Sequence, residues 1–186
     1  MLFKDSLADA LDANLLLSHR IRDFRPDRRA EEKLAASSAP NGSVIRLAKL
    51  ADRILSIVAI PDGMPVAGIR RVLSKQWRMT GVLIVTERWL VRQPRLGNLI
   101  TLVGASDHEV ARTDRILLEQ HLLENGGSSP LFDCAAYVLR NEDPIRAVLS
   151  LVADKKLRID LTRPIGPSSL VSLPTRRSRG RSVMGH

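Results

Sequence analysis

The sequence predicts an α/β protein built in two parts. Two observations predict the first part: the apolar runs Ile54–Ile60 (ILSIVAI) and Val82–Thr86 (VLIVT), and the stretch of helical spacing between them. Strand, helix and strand in that order make a β-α-β unit with parallel strands and a right-handed crossover. A third observation predicts the second part. After the break at Gly104-Ala105-Ser106 come segments of helical pattern and then two short strand-like segments, the order of a winged helix. The expected division is a small two- or three-layer α/β domain over 1–104, a helical, winged-helix-like domain over 105–174, and a basic tail over 175–186 that is disordered in isolation.

Residues 3–23 read as an amphipathic helix. Leu7, Leu11, Leu15 and Ile21 lie on one face, and Asp5, Asp9 and Asp12 come early, where the helix dipole favours acids. Residues 20–33 carry Arg20, Arg22, Arg25, Arg28, Arg29 and Lys33, and residues 37–43 form a polar hinge with turn chemistry. Between Ser43 and Leu50 the pattern fits either a short strand or a helix. The run Ile54–Ile60 ends at Pro61-Asp62-Gly63 and has the length of a fully buried strand. Val66 to Trp77 has helical spacing, with Ile69, Val72 and Leu73 inward and Arg70, Arg71 and Lys75 outward. Glu87–Val91 reads as a short helix and Leu96–Val103 as a further helix.

In the second part, Asp107–Asn125 is predicted helical with Val110, Ile116, Leu117 and Leu123 apolar, and Gly126-Gly127 gives the C-terminal glycine signal. Ser129 caps and Pro130 opens the next helix, to about Arg140. Asp143-Pro144 opens a third, through Asp154, with Ile145, Val148, Leu149 and Val152 on one face. Lys156–Leu161 alternates with period two, as a half-exposed strand should, and Ser169–Leu173 is the return strand after a loop.

The chain has 186 residues, 29 basic and 20 acidic, for a formal charge of +9. Such an excess points to a polyanion, most simply nucleic acid. Aromatic residues are only 3%, which argues against binding by bases stacked on aromatic platforms. No uncharged stretch is long enough to cross a bilayer, and the N-terminus lacks the pattern of a signal peptide, so the expectation is a soluble cytoplasmic protein with no membrane partner. The single Cys134 excludes a disulfide framework and a multi-cysteine zinc site, and reads as a small apolar residue inside a helix. His19, His108, His121 and His186 lack zinc-ligand spacing, and there is no phosphate-binding glycine loop. Trp77 and Trp89 read as the edge of the core.

The residues expected to bind DNA are the basic ones outside the apolar stripes of the second part, Arg140, Arg146, Lys155, Lys156 and Arg158, together with Arg176, Arg177, Arg179 and Arg181 of the tail. They would neutralise phosphates, with the helix around Arg146 inserted into a groove and a wing beside it. No catalytic and no metal-ligating residue is assigned. A Mg²⁺-dependent nuclease needs converging carboxylates, and Asp27, Asp52 and Asp62 are scattered along the chain; whether they converge is open at this level.

From about Val66 to Leu173 the chain resembles the TnsA-like transposon endonucleases. The residues that carry the resemblance are Gly68-Ile69-Arg70-Arg71-Val72-Leu73, Gly81–Glu87, Arg92–Asn98, Ile145–Leu161 and Pro164–Val171. The resemblance implies a restriction-endonuclease-like N-terminal domain followed by a winged-helix-like C-terminal one. It also implies double-stranded DNA and other subunits of a transposase-like complex as partners. That family has a Pro-Asp before one strand and an acid or glutamine two residues before a lysine in the next. Pro26-Asp27 matches the first element, whereas the second falls on Val58-Ala59-Ile60, with neither an acid nor a lysine. The expected function is DNA binding in a transposon-, phage- or mobile-element-related complex, without catalysis or cofactor. The alternatives are a divergent Mg²⁺-dependent endonuclease using Asp27, Asp52 or Asp62, and a protein–protein scaffold.

Overall fold

The structure, a computed structural model, describes residues 6–36, 42–66, 69, 72–73 and 81–174. The chain divides into two compact units, Met1–Gly104 with Leu161–Pro164, and Ala105–Asp160 with Ile165–His186. The protein is of mixed α/β class. No helix among the described residues is long and apolar enough to cross a membrane.

The first unit runs α1 (Leu7–Leu16), β1 (Asp23–Pro26), α2 (Arg28–Ala36), β2 (Val44–Lys49), β3 (Ile54–Ile60), β4 (Gly81–Thr86), α3 (Glu87–Leu90) and α4 (Arg95–Ala105). Its four strands form one sheet in the order β1-β2-β3-β4. β1 pairs antiparallel with β2, and β2 antiparallel with β3. β3 and β4 run parallel, from Leu55 opposite Gly81 to Ile60 opposite Thr86. A parallel pair needs a crossover. Of the crossover, Val66, Ile69, Val72 and Leu73 are described as helical, with Ile69 and Leu73, four residues apart, buried.

The period of two along β3 divides the core. Ile57 and Ala59 pack with Ala10, Leu11 and Leu15 of α1, Ala48 and Leu90. Val58 and Ile60 pack on the other face with Ala30 and Leu34 of α2, Ile45, Ile69 and Leu73. A strand buried on both faces carries apolar residues at consecutive positions, which is why ILSIVAI does not alternate.

Residues 3–23 are not one helix. α1 starts after Ser6, whose hydroxyl accepts from the Asp9 backbone N–H, and stops at Leu16. The chain must turn there because Asp23–Pro26 is a strand: Phe24 lies opposite Ala48, and the Arg22 N–H donates to the Lys49 carbonyl. Val44–Lys49 takes the strand alternative, since its backbone is paired on both sides. Asp5, Gly68, Arg70, Arg71, Lys75 and Trp77 lie outside the described residues, as does the tail with Arg176, Arg177, Arg179 and Arg181.

The second unit contains α5 (Arg112–Glu124), β5 (Ser128–Pro130), α6 (Leu131–Ala135), α7 (Pro144–Ala153), β6 (Arg158–Ile159) and β7 (Leu170–Ser172). Its three strands form an antiparallel sheet in the order β5-β7-β6. Two sequence expectations are corrected here. Ser129 and Pro130 do not open a helix: they are strand residues opposite Val171 and Leu170, and the helix that follows ends at Ala135, short of Arg140. The inward face of α5 is Asp114, Leu118 and Leu122, not the stripe through Ile116, Leu117 and Leu123, which are 51%, 43% and 68% exposed. Positions 114, 118 and 122 repeat every four residues along one side of the helix, and the aspartate at the first of them disguises the stripe. Gly126 and Gly127 end α5 at φ 71° and 90°, a region that suits glycine, and the Gly127 N–H donates to the Leu122 carbonyl.

Candidate nucleic-acid interface

Of the basic residues expected to bind DNA, Arg140, Arg146, Lys155, Lys156 and Arg158 fall into two groups at opposite ends of α7. Arg140 precedes the helix, and its backbone N–H donates to Asp114 Oδ2 at 3.1 Å, so a buried carboxylate fixes the loop that presents it. Arg146 lies in the first turn, where its N–H donates to the capping Asp143 Oδ1 at 3.0 Å. Both side chains are exposed. Lys155, Lys156 and Arg158 follow the other end of the helix, whose ten residues span roughly 15 Å. Lys155 is half-buried at φ 63°, and burial holds its pKa below the usual lysine range. Lys156 is exposed and ion-paired with Asp154 at 2.7 Å, and Arg158 is exposed on β6. Residues near in sequence are thus brought together, while the two groups are held about a helix length apart.

α7 does not offer a free face for insertion along its length. Every residue from Ala147 to Ala153 is buried, so only the first turn, with Ile145 and Arg146, is open. The turn after β6 is also tied down. Leu161–Pro164 belongs to the first unit, where the buried Asn98 amide donates to the carbonyls of Leu161 at 3.1 Å and Arg163 at 2.7 Å.

Of the three acids weighed for a nuclease, Asp27 and Asp62 lie at one end of the sheet and Asp52 at the other. Asp27 ends β1 and caps α2, its Oδ1 accepting from the Ala30 N–H at 3.1 Å. Asp62 follows β3 and receives the Arg88 N–H at 3.0 Å, while its own N–H donates to Glu87. Asp52 lies in the turn between β2 and β3, at the far end of β2 from the Ile45 carbonyl that Asp27 N–H reaches. Among the described residues no cluster of three or more His, Cys, Asp or Glu could hold a metal ion. Val58 and Ile60 are wholly buried core.

The carboxylates that do converge were not legible as a site. Asp12 of α1 and Glu31 of α2 meet on the guanidinium of Arg46, a buried arginine inside β2. The signal in the sequence was one charge within VIRLAK, a strand otherwise apolar up to its final lysine. His121 and His108 have structural surroundings. His121 stacks on Tyr137 at 4.1 Å and lies 2.9 Å from Ser129 Oγ, and His108 lies 2.7 Å from Asn141 Oδ1. Cys134 is fully buried, and burial pushes its thiol up to about 11. Trp89 does not complete the core: it is 48% exposed, with the Arg95 guanidinium 5.3 Å from its ring centre.

Neither a protein-family model nor a curated protein matches the chain.

Proposed function

We propose that this chain is a DNA-binding protein of a transposon-, phage- or mobile-element-related complex, a catalytically inactive relative of the TnsA-like endonucleases. The observation that carries the reading is the second unit: helix, strand, helix, helix, strand, strand, with the last strand central in the order β5-β7-β6. That order supports a winged-helix reading, and Arg140, Arg146 and Arg158 are exposed. A restriction-endonuclease-like reading of the first unit draws support from a mixed sheet with its last two strands parallel and buried helices on both faces. The lack of catalysis is argued from the separation of Asp52 from Asp27 and Asp62, which each accept a hydrogen bond from helix backbone. With α7 buried beyond its first turn, binding is by phosphate contact from Arg140, Arg146, Lys156 and Arg158 and from the tail arginines, with little base readout.

A gel-shift titration over a salt series tests this. Affinity for duplex DNA should fall with a log–log slope of about −0.9 per neutralised phosphate. Truncation after Pro174 and the double change Arg140→Ala with Arg146→Ala should each reduce the slope. Affinity that does not change with salt would refute the reading. Incubation with supercoiled plasmid and Mg²⁺ or Mn²⁺ should give no nicking; nicking lost in Asp27→Ala or Asp62→Ala would favour the endonuclease instead. The scaffold reading has its own support in Leu123, Phe132, Leu139 and Leu170, which are 68%, 66%, 75% and 59% exposed.

A further inference from the structure

The two edges of the four-stranded sheet are built differently. β1 is four residues long and reads Asp-Phe-Arg-Pro, with charges and a proline that discourage further pairing. β4 is six residues long, Gly81-Val82-Leu83-Ile84-Val85-Thr86, with no charge and no proline. Its inner side pairs with β3, and no other strand of the sheet lies beyond it. Among the described residues, no turn, loop or side-chain hydrogen bond reaches the backbone of Gly81–Val85. Among the described residues, the outward N–H and C=O groups of β4 therefore have no partner, and such a row is the usual template for another strand.

Beside this edge, on the α1 face of the sheet, is a cavity of about 360 Å³. Leu83 and Val85 of β4 form part of its floor, and Leu83 is 46% exposed. Leu11, Leu15 and Leu99 supply apolar wall, and Trp89 lines it with half its surface in solvent. Among the described residues, the charged side chain lining it is that of Arg95. Arg95 is held in place, stacked over Trp89 and donating from Nε to Asn14 Oδ1 at 3.1 Å. With Nε so engaged, the two terminal nitrogens of its guanidinium remain as donors for a ligand.

We propose that β4 and this cavity together bind an extended, acid-bearing apolar peptide segment of a partner protein, added to the sheet as a fifth strand. In strand addition the main-chain hydrogen bonds give affinity and pockets for alternate side chains give specificity. The open edge of β4 supplies the first. The apolar cavity takes a side chain from the face that Leu83 and Val85 share. The Arg95 guanidinium selects a carboxylate next to that side chain. A second copy of this chain fits less well, because the acid that follows its own β4, Glu87, already accepts from the Asp62 N–H. This inference does not depend on the DNA-binding reading.

The test uses the full chain and a blocked hexapeptide of alternating leucine and valine with a glutamate at each end. Two control peptides are used: one with both glutamates replaced by lysine, and one N-methylated at alternate residues so that one edge cannot donate. Trp emission and amide hydrogen exchange are followed together. The glutamate peptide should bind and protect backbone amides within Gly81–Thr86. N-methylation should weaken binding by at least about tenfold, as should the change to lysine. Arg95→Gln should abolish the preference of glutamate over lysine, while Leu83→Glu should abolish binding; both should keep the native circular dichroism. Equal binding of the N-methylated peptide, or binding without protection of Gly81–Thr86, would overturn the proposal. So would protection of those amides that rises with protein concentration in the absence of peptide, which would assign the edge to a second copy.

Discussion

Arg46 holds Asp12 through two hydrogen bonds, Nε to Oδ1 at 2.7 Å and Nη2 to Oδ2 at 3.1 Å. The guanidinium also donates from Nη1 to Glu31 Oε1 at 3.2 Å, and that same oxygen accepts the Ile45 backbone N–H at 2.8 Å. The geometry has a simple cause. β1 stops pairing where α2 begins, with the Asp27 N–H on the Ile45 carbonyl, so the Ile45 N–H loses its strand partner. Glu31, one turn into α2, supplies the missing acceptor, and Arg46 neutralises it. One cluster thereby ties α1, α2 and β2 together.

Removing the arginine should cost more than removing either acid. The Arg46 side chain is 9% exposed, whereas those of Asp12 and Glu31 are 38% and 29% exposed. Arg46→Ala leaves two carboxylates facing one another and should destabilise by about 3 kcal/mol in denaturant unfolding, near the lower end for a broken buried pair because the acids reach solvent. Glu31→Gln keeps an acceptor for the Ile45 N–H and should be milder than Glu31→Leu, which leaves that group unpaired. Equal losses for the two Glu31 variants would show that the backbone contact is unimportant.

Ser56 predicts the opposite sign. Its hydroxyl is fully buried in β3 with no hydrogen-bond partner among the described residues. The desolvation of that group is uncompensated, so Ser56→Ala should be neutral or stabilise by about 1 kcal/mol. A loss above about 1 kcal/mol on Ser56→Ala would mean that the hydroxyl has a partner, such as a buried water.

What the sequence revealed followed from how one-sided each signal was. Ile54–Ile60 is apolar because both its faces are covered, and its bounds were legible to the residue. Asp143-Pro144 gave the start of α7 because the cap and the proline act locally. β1 was hidden, since Asp-Phe-Arg-Pro has no strand pattern of its own and exists by pairing with Leu47 and Ala48. β5 was hidden likewise: Ser-Ser-Pro reads as a helix cap until Val171 lies opposite. The inward side of α5 was misread because an aspartate occupies a core position, satisfied by Arg140 and Asn141 from a distant loop. The basic residues were legible by type, but their separation by the length of α7, and its burial, are tertiary facts.

Lys155 offers a way to separate folding from binding. It follows α7 at φ 63°, where its N–H donates to the Val152 carbonyl and the next N–H to the Leu151 carbonyl, a glycine-type helix ending made by a lysine. Lys155→Gly removes the steric cost of that backbone and should raise stability by roughly 0.5–1 kcal/mol. If Lys155 also contacts phosphate, the same variant should bind DNA more weakly and with a shallower salt slope. A lowered melting temperature would show instead that the aliphatic stem of Lys155 packs usefully.

Cys134 yields a prediction in pH. Its thiol is fully buried in α6, with Sγ 3.7 Å from the Ser129 carbonyl, and burial pushes its pKa from an ordinary 9.0 up to about 11. The nucleophile in alkylation is the thiolate, so the native protein should resist iodoacetamide at pH 8 and react only as fast as it opens. Denaturant should expose a single reactive thiol, because the chain has one cysteine. The sign of the linkage follows from the raised value. Below about pH 9 the thiol is protonated in both states, and its contribution to stability is fully present. As pH rises from there towards 11, the unfolded chain releases the proton first, and stability falls. Cys134→Ala removes the titrating group, and should start less stable because a small cavity replaces the sulfur. Its unfolding midpoint should then decline less between pH 9 and 11 than that of the native sequence. Parallel declines of the two midpoints, with rapid alkylation of the folded protein at pH 8, would show that the thiol is open to water.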